Sequence, residues 1–225
     1  LALRVIAGGG CLCRAQPPPS ERLPWWLMTA GIAAWTLGDV YWTVELADLI
    51  GTGTPSIADS LYLAFYPLAY ATLVFLIRQQ AGLASRDLWF DGVIGASCAT
   101  AVAIAIAFPA FDVTAGDALE LATTLAYPVL DAVLLSFVIL VFGLSGWRPG
   151  RRWMLIGVGL AAMACSDVLY LVDAANGAYA AGGFLDAGWP AGALLGAQAA
   201  WQPVGTAARR TLREAQLELL DVGDV

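Results

Sequence analysis

The chain has 225 residues, of which 60% are hydrophobic and only 13% are charged, whereas soluble domains have about 45–50% and about 25%. Its formal net charge is −7 and it contains neither Lys nor His, which excludes a basic nucleic-acid surface, a lysine Schiff base and the usual ligand of haem or zinc. The composition predicts an all-α polytopic transmembrane bundle whose main partner is the lipid bilayer, with no cofactor, metal site or nucleic-acid partner.

The first apolar segment, residues 1–13, is too short to cross a bilayer. Thirteen helical residues reach about 20 Å, whereas the hydrocarbon layer is about 30 Å thick. We interpret it as the inner half of a seventh helix whose beginning precedes residue 1; the alternative is an interfacial or poorly ordered segment. In the first case Arg4 lies inside the membrane, where a charge is costly and needs a partner.

Six further apolar stretches are each long enough for a full crossing. They cover residues 25–48, 57–77, 88–109, 119–144, 153–173 and 183–202. Ten of the eleven arginines lie at one set of span ends, whereas the alternate loops near residues 49–56, 110–118 and 174–182 contain none. The positive-inside rule makes the arginine-bearing side cytoplasmic. This predicts a multi-pass protein of the bacterial inner membrane with a cytoplasmic C-terminus.

Acids near the arginine-free ends of the spans have a local structural interpretation. Ser56 with Asp59, and Asp117 with Glu120, have capping-box spacing. Asp186 falls in the first turn of the last span, where an acid suits the helix dipole. We therefore expect these acids to cap helices.

The spans resemble three repeated hairpins that bring polar residues to a common depth. Each helix that enters from the outer side has an aromatic–proline step, and each proline predicts a kink that frees a backbone carbonyl one turn earlier. Asp39 and Asp167 fall in the same outer-to-middle layer as the three prolines, and Asp131 falls nearest the midplane. Intramembrane acids are candidates for function, and we predict a polar cavity open to a small-molecule ligand from the outer side; the alternative is that these groups only join helices by hydrogen bonds. The candidate ligand-binding residues are Asp39, Asp131, Asp167, Tyr66, Tyr127 and Trp189.

The last segment, residues 205–225, is polar and has the spacing of a helical seam. Leu212, Ala215, Leu219 and Val222 follow a 3-4-3 pattern, which is typical of the start of a coiled coil. We predict a transmembrane domain at 1–204 followed by a cytoplasmic connector at 205–225, which leads to an output domain in a homodimer. An amphipathic anchor or a solvated tail is the alternative.

Several segments resemble the N-terminal membrane sensor of actinobacterial GGDEF/EAL proteins, the diguanylate cyclases and cyclic di-GMP phosphodiesterases. The resemblance covers about residues 20–205. It is carried by residues 35–42 (WTLGDVYW), 55–70 (PSIADSLYLAFYPLAY), 88–92 (LWFDG), 146–150 (GWRPG) and 185–190 (LDAGWP). The resemblance implies a membrane input region that feeds cytoplasmic catalytic domains, although this chain has no GGDEF or EAL signature of its own.

Three function classes are compatible with these features. The first is a sensory or regulatory module that passes a ligand or membrane signal to a cyclic di-GMP-metabolising domain. The second is a small transporter or channel with Asp39, Asp131 and Asp167 on an ion or proton path. A membrane-embedded enzyme ranks last because the sequence offers no recognisable pair of nucleophile and base, so the chain itself is predicted not to be an enzyme.

Overall fold

A computed structural model describes residues 2–14, 19–46, 55–81, 118–145, 147–180 and 183–202, together with a few positions between 90 and 105. The described residues form helices and the turns between them, with no strand among them. The predicted span 88–109 falls mostly outside this set, and so do residues 203–225 with the predicted connector.

Seven helices with short additions make up the described chain. The helices are α1 (Ala2–Arg14), α2 (Pro19–Tyr41), α3 (Ile57–Leu63), α4 (Phe65–Ala81), α5 (Ala118–Leu144), α6 (Arg151–Ala175) and α7 (Gly188–Ala200). A π-helical segment at Trp42–Leu46 extends α2, and a 3-10 turn at Phe184–Ala187 precedes α7. The predicted all-helical class is confirmed.

Three of these helical segments are long and apolar enough to cross a membrane. They are Ile57–Gln79, Ala118–Gly143 and Arg151–Ala175, with mean hydropathies of 1.8, 2.3 and 2.0. The predicted count of six full spans stays a prediction. Helix α2 is less apolar than these three segments, because it contains Pro24 and Asp39 as well as charges in its first turns. Helix α7 is shorter, with only 13 residues.

Helices α1, α2, α4, α5, α6 and α7 form a closed ring. Each packs against the next in this order, and α7 packs back on α1. Helix α2 runs antiparallel to α3 and α4. Thr72 of α4 donates to the Pro24 carbonyl near the beginning of α2, whereas Tyr62 of the preceding helix α3 donates to Asp39 near the end of α2. The short helix α3 continues into α4 and packs on α2.

The ring has two chemically different ends. We call the end that carries Arg78, Arg148 and Arg151 the arginine end, and the other the opposite end. The interior towards the arginine end is an apolar core that includes Trp25, Leu73, Leu134, Ile156 and Ala197. An apolar cavity of about 30 Å³ lies among α2, α4, α6 and α7.

The N-terminal segment is a packed member of this ring. Ala7 and Cys11 of α1 are fully buried, and α1 packs between α2 and α7. Arg4, near its first turn, is 6% exposed. The interpretation of this segment as the inner half of a seventh transmembrane helix stays a prediction.

Two of the three aromatic–proline steps coincide with irregularities in the helices. Pro128 lies inside the continuous helix α5. Pro67 follows the break between α3 and α4 at Ala64, and Pro190 follows the change from the 3-10 turn to α7. Proline removes the hydrogen bond to the carbonyl four residues earlier, which accounts for interruptions at those two places.

Candidate functional site

Side chains from every helix of the ring meet in one hydrogen-bonded region towards the opposite end, which we call the polar layer. Arg4, Asp39 and Trp189 lie near an end of α1, α2 or α7, and Tyr127, Asp131 and Asp167 lie further inside α5 and α6. The remaining residues of the layer lie in α3 and at the beginning of α4. The layer consists of Arg4, Asp39, Asp59, Tyr62, Tyr66, Tyr127, Asp131, Asp167 and Trp189.

Two carboxyl groups at the centre of the layer share one tyrosine. The Tyr66 hydroxyl lies 3.1 Å from Asp131 Oδ1 and 3.3 Å from Asp167 Oδ2, so one hydroxyl lies between the two carboxyl groups. Trp189 Nε1 donates to Asp167 Oδ1 at 2.6 Å. This group joins α4, α5, α6 and α7.

The third predicted acid belongs to a different pair. Asp39 accepts from Arg4 Nη1 in an ion pair and from the Tyr62 hydroxyl at 3.3 Å. The Arg4 guanidinium lies 4.3 Å from the centre of the Trp35 ring, within the range of a cation–π interaction. The predicted need of Arg4 for a partner is therefore met by Asp39, across the α1–α2 contact.

Asp59 has both a capping role and a role in the layer. Its Oδ2 accepts from the Ser56 backbone N–H at 2.7 Å, while its own N–H donates to Ser56 Oγ at 3.3 Å. The predicted capping box is thus confirmed. Asp59 Oδ1 also accepts from the Tyr127 hydroxyl at 2.9 Å, so the cap of α3 is tied to α5.

Aromatic rings surround the carboxyl groups. Tyr66 and Tyr127 pack edge to face with ring centres 6.4 Å apart. Tyr170 lies between Trp189 and Tyr179, at 6.1 Å and 4.8 Å. At the opposite end, burial and then the hydrogen bond to Asp186 raise the pKa of Tyr179 above its ordinary value. These rings shield the carboxyls and so strengthen the hydrogen bonds between them.

The balance of charge in the layer is negative. Four acids, Asp39, Asp59, Asp131 and Asp167, accompany a single arginine among its members. Arg4 is bonded to Asp39, so the central carboxyls are balanced only by neutral donors. A site of this kind favours a proton or another cation over an anion.

The structure brings together most of the predicted site residues. One bonded group contains Asp131, Asp167, Tyr66 and Trp189. The other two predicted residues have different partners: Asp39 accepts from Tyr62, and Tyr127 donates to Asp59. All six bond within the protein, so a ligand would have to replace some of these bonds. The apolar cavity described above does not include them.

Sequence reasoning missed Tyr62 and assigned Asp59 to capping alone. Asp59, Tyr62 and Tyr66 are spaced three and four residues apart, which puts them on one helical face. This 3-4 spacing of polar residues within an apolar stretch was a usable signal. The partners across the bundle were not readable from it.

Comparisons with protein-family models, with curated proteins and with solved structures give no match to this chain.

Proposed function

We propose that the chain is a membrane-embedded input module, which passes a ligand or membrane signal through the connector at 205–225 to a cytoplasmic domain that makes or degrades cyclic di-GMP. The observation that carries this proposal is the polar layer, in which all six helices of the ring are joined by side-chain bonds at one level. The sequence resemblance to sensors of GGDEF/EAL proteins supplies the nature of the output domain.

The layer suits signalling because its bonds are few, directional and shielded from water. Hydrogen bonds in such surroundings are strong, and an unpaired group there is costly. Breaking one bond therefore favours a new set of partners rather than a small relaxation. Two discrete arrangements of packed helices are what a switching module requires.

Helix α7 links the layer to the predicted connector. Trp189 at its beginning is bonded to Asp167, and its last residues, Ala199 and Ala200, are fully buried. A change in the Trp189–Asp167 bond would move or rotate α7, and the segment that follows α7 is the connector. This is a direct mechanical route from site to output.

The core below the layer argues against the rival transporter or channel. The buried polar side chains described there are few: Thr72 bonds the Leu68 and Pro24 carbonyls, and Ser136 bonds the Val133 carbonyl. Arg152 packs over the Trp25 ring at the arginine end. Among the residues that the structure describes, the rest of that core is apolar, which would place a barrier on an ion path through these helices from Asp131 to the arginine end.

The connector gives the decisive test. One to four alanines are inserted between Arg213 and Leu220 of the full-length protein, and cyclic di-GMP turnover is measured in membrane vesicles. One or two residues rotate the output domain by about 100–200°, whereas three or four restore roughly the same face. We expect activity to change about fivefold or more with one or two residues and to recover with three or four.

The matched control replaces residues without changing length. Gln216→Ala and Glu218→Ala lie outside the predicted 3-4-3 seam and should leave the activity near that of the native protein. Equal activity across the whole insertion series, at equal expression and membrane insertion, would rule out transmission through this segment and would favour the transporter.

A further inference from the structure

At the centre of the polar layer, the Tyr66 hydroxyl has more hydrogen-bond contacts than it has hydrogens to donate. The Tyr66 hydroxyl lies within hydrogen-bond distance of both Asp131 and Asp167. A tyrosine hydroxyl has a single hydrogen to donate, and an ionised carboxylate has none. If both acids were ionised, one of the two contacts would join oxygen lone pairs with no hydrogen between them.

The donors around the two acids are unequally distributed. Asp167 Oδ1 accepts a hydrogen bond from Trp189 Nε1, and Asp167 Oδ2 lies next to the Tyr66 hydroxyl. Asp131 is 4% exposed, and its Oδ2 is buried without a donor among the described residues. A buried carboxylate oxygen without a donor is costly, whereas a protonated Oδ2 can itself donate to the neighbouring carboxylate.

Electrostatic repulsion also favours a proton on one of the two acids. Two carboxylates held around one hydroxyl within an apolar core repel one another and lack water to screen them. Arg4 is already bonded to Asp39. Two such acids titrate as a coupled pair in two macroscopic steps, and between those steps the pair holds one proton.

The titratable and charged groups around the pair come from every packed element. They are Arg4 on α1, Asp39 on α2, Asp59 and Tyr62 on α3, Tyr66 and Tyr70 on α4, Tyr127 on α5, and Cys165 and Tyr170 on α6, with α7 contributing the neutral donor Trp189.

We infer that Asp131 and Asp167 form a proton-binding site that holds one proton at neutral pH, on Asp131 Oδ2. The proton is exchanged with bulk water, and its loss leaves two facing anions between α5 and α6. Those helices then separate near Pro128. The role of this proton as the stimulus of the module rests on the proposed function, but the proton site itself does not.

Infrared spectroscopy of the chain in lipid vesicles tests the site. The native protein should show the carbonyl stretch of one protonated carboxyl group at neutral pH. Asp131→Asn should abolish this band, because the amide takes the place of the protonated acid and Asp167 keeps its donors. Asp173→Asn, the same exchange on α6 at the opposite end, is the control and should keep the band.

A second measurement requires no variant. As pH rises, the melting temperature should fall until the native band disappears and should then level off, because below that pH the folded chain holds a proton that the unfolded chain has already released. A native protein without the band at neutral pH, or a band that persists in Asp131→Asn, would overturn the inference. A flat connector series alongside an intact band would contradict only the proposed function.

Discussion

At the residue scale, burying the Arg4 guanidinium has a large desolvation cost. A guanidinium buried in an apolar environment loses its hydration, and the loss is offset only if an anion and further contacts replace the water. Asp39 supplies the anion and Trp35 supplies a ring face. Tyr62 donates to the second oxygen of the same carboxyl, so both charges are well coordinated.

Arg4→Met should therefore destabilise the folded bundle mainly by leaving Asp39 without its cation. We expect a loss of about 2–3 kcal/mol, less than the cost of orphaning a fully buried charge because the Asp39 side chain keeps 23% exposure. Unfolding in mixed micelles measures this free energy. Arg151→Met, at an exposed position, is the control and should change it by less than about 0.5 kcal/mol.

A double variant separates the pair from general damage to α1. Arg4→Met combined with Asp39→Asn should recover part of the loss, because the second change removes the orphaned charge. If the double variant instead loses as much unfolding free energy as Arg4→Met and Asp39→Asn lose in sum, the ion pair contributes little. The stability of α1 would then come from its apolar contacts.

At the scale of elements, α6 and α7 approach one another through glycines. A Cβ added to Gly192 would lie 2.6 Å from the Gly159 carbonyl oxygen, and one added to Gly159 would lie 2.8 Å from the Gly192 carbonyl oxygen. Backbone atoms cannot move aside as a flexible side chain can. Small residues at membrane helix contacts allow such close packing, and here they set the distance over which Trp189 reaches Asp167.

Gly192→Ala should push α7 away from α6 and weaken the polar layer. The expected cost is about 1–3 kcal/mol of unfolding free energy, as for other overpacked contacts. Gly196→Ala, one turn further along α7, is a matched control because an added Cβ there meets nothing within 4 Å. Equal stability of the two variants would mean that α7 adjusts without cost and that its position is not fixed by the glycines.

At the scale of the whole molecule, the distribution of arginine predicts the orientation in the membrane. The rule works because positive charge resists translocation, so we predict that the arginine end stays on the cytoplasmic side. The same prediction places the C-terminal segment on that side. The three long apolar helices are consistent with a membrane location.

Single cysteines in a cysteine-free variant test the orientation in whole cells. Replacements at Gly53, Gly116 and Ala178 should react with an impermeant thiol reagent, and a replacement at Gly82 should not. Permeabilised cells provide the control, since all four positions should then react. Labelling of Gly82 but not of Gly53 in intact cells would reverse the orientation.

The sequence by itself determined the class of the protein and the depth of its polar residues. Apolar length predicts helices. Because each helical residue adds about 1.5 Å, counting from the span ends placed Asp39, Asp167 and the aromatic–proline steps at a similar level, with Asp131 nearest the midplane. The capping box at Ser56 and Asp59 was readable because its partners are three residues apart in the chain. Such properties depend on local sequence alone.

Only the tertiary structure decided which of these groups meet. The pairing of Asp39 with Arg4, and of Asp131 with Asp167 around Tyr66, depends on the order of helices around the ring and on the rotation of each about its axis. That order is closed by the contact of α7 with α1, between segments almost two hundred residues apart. Helical periodicity fixes which residues share a face but not which helix that face meets, because apolar stripes of similar width can pack in several arrangements.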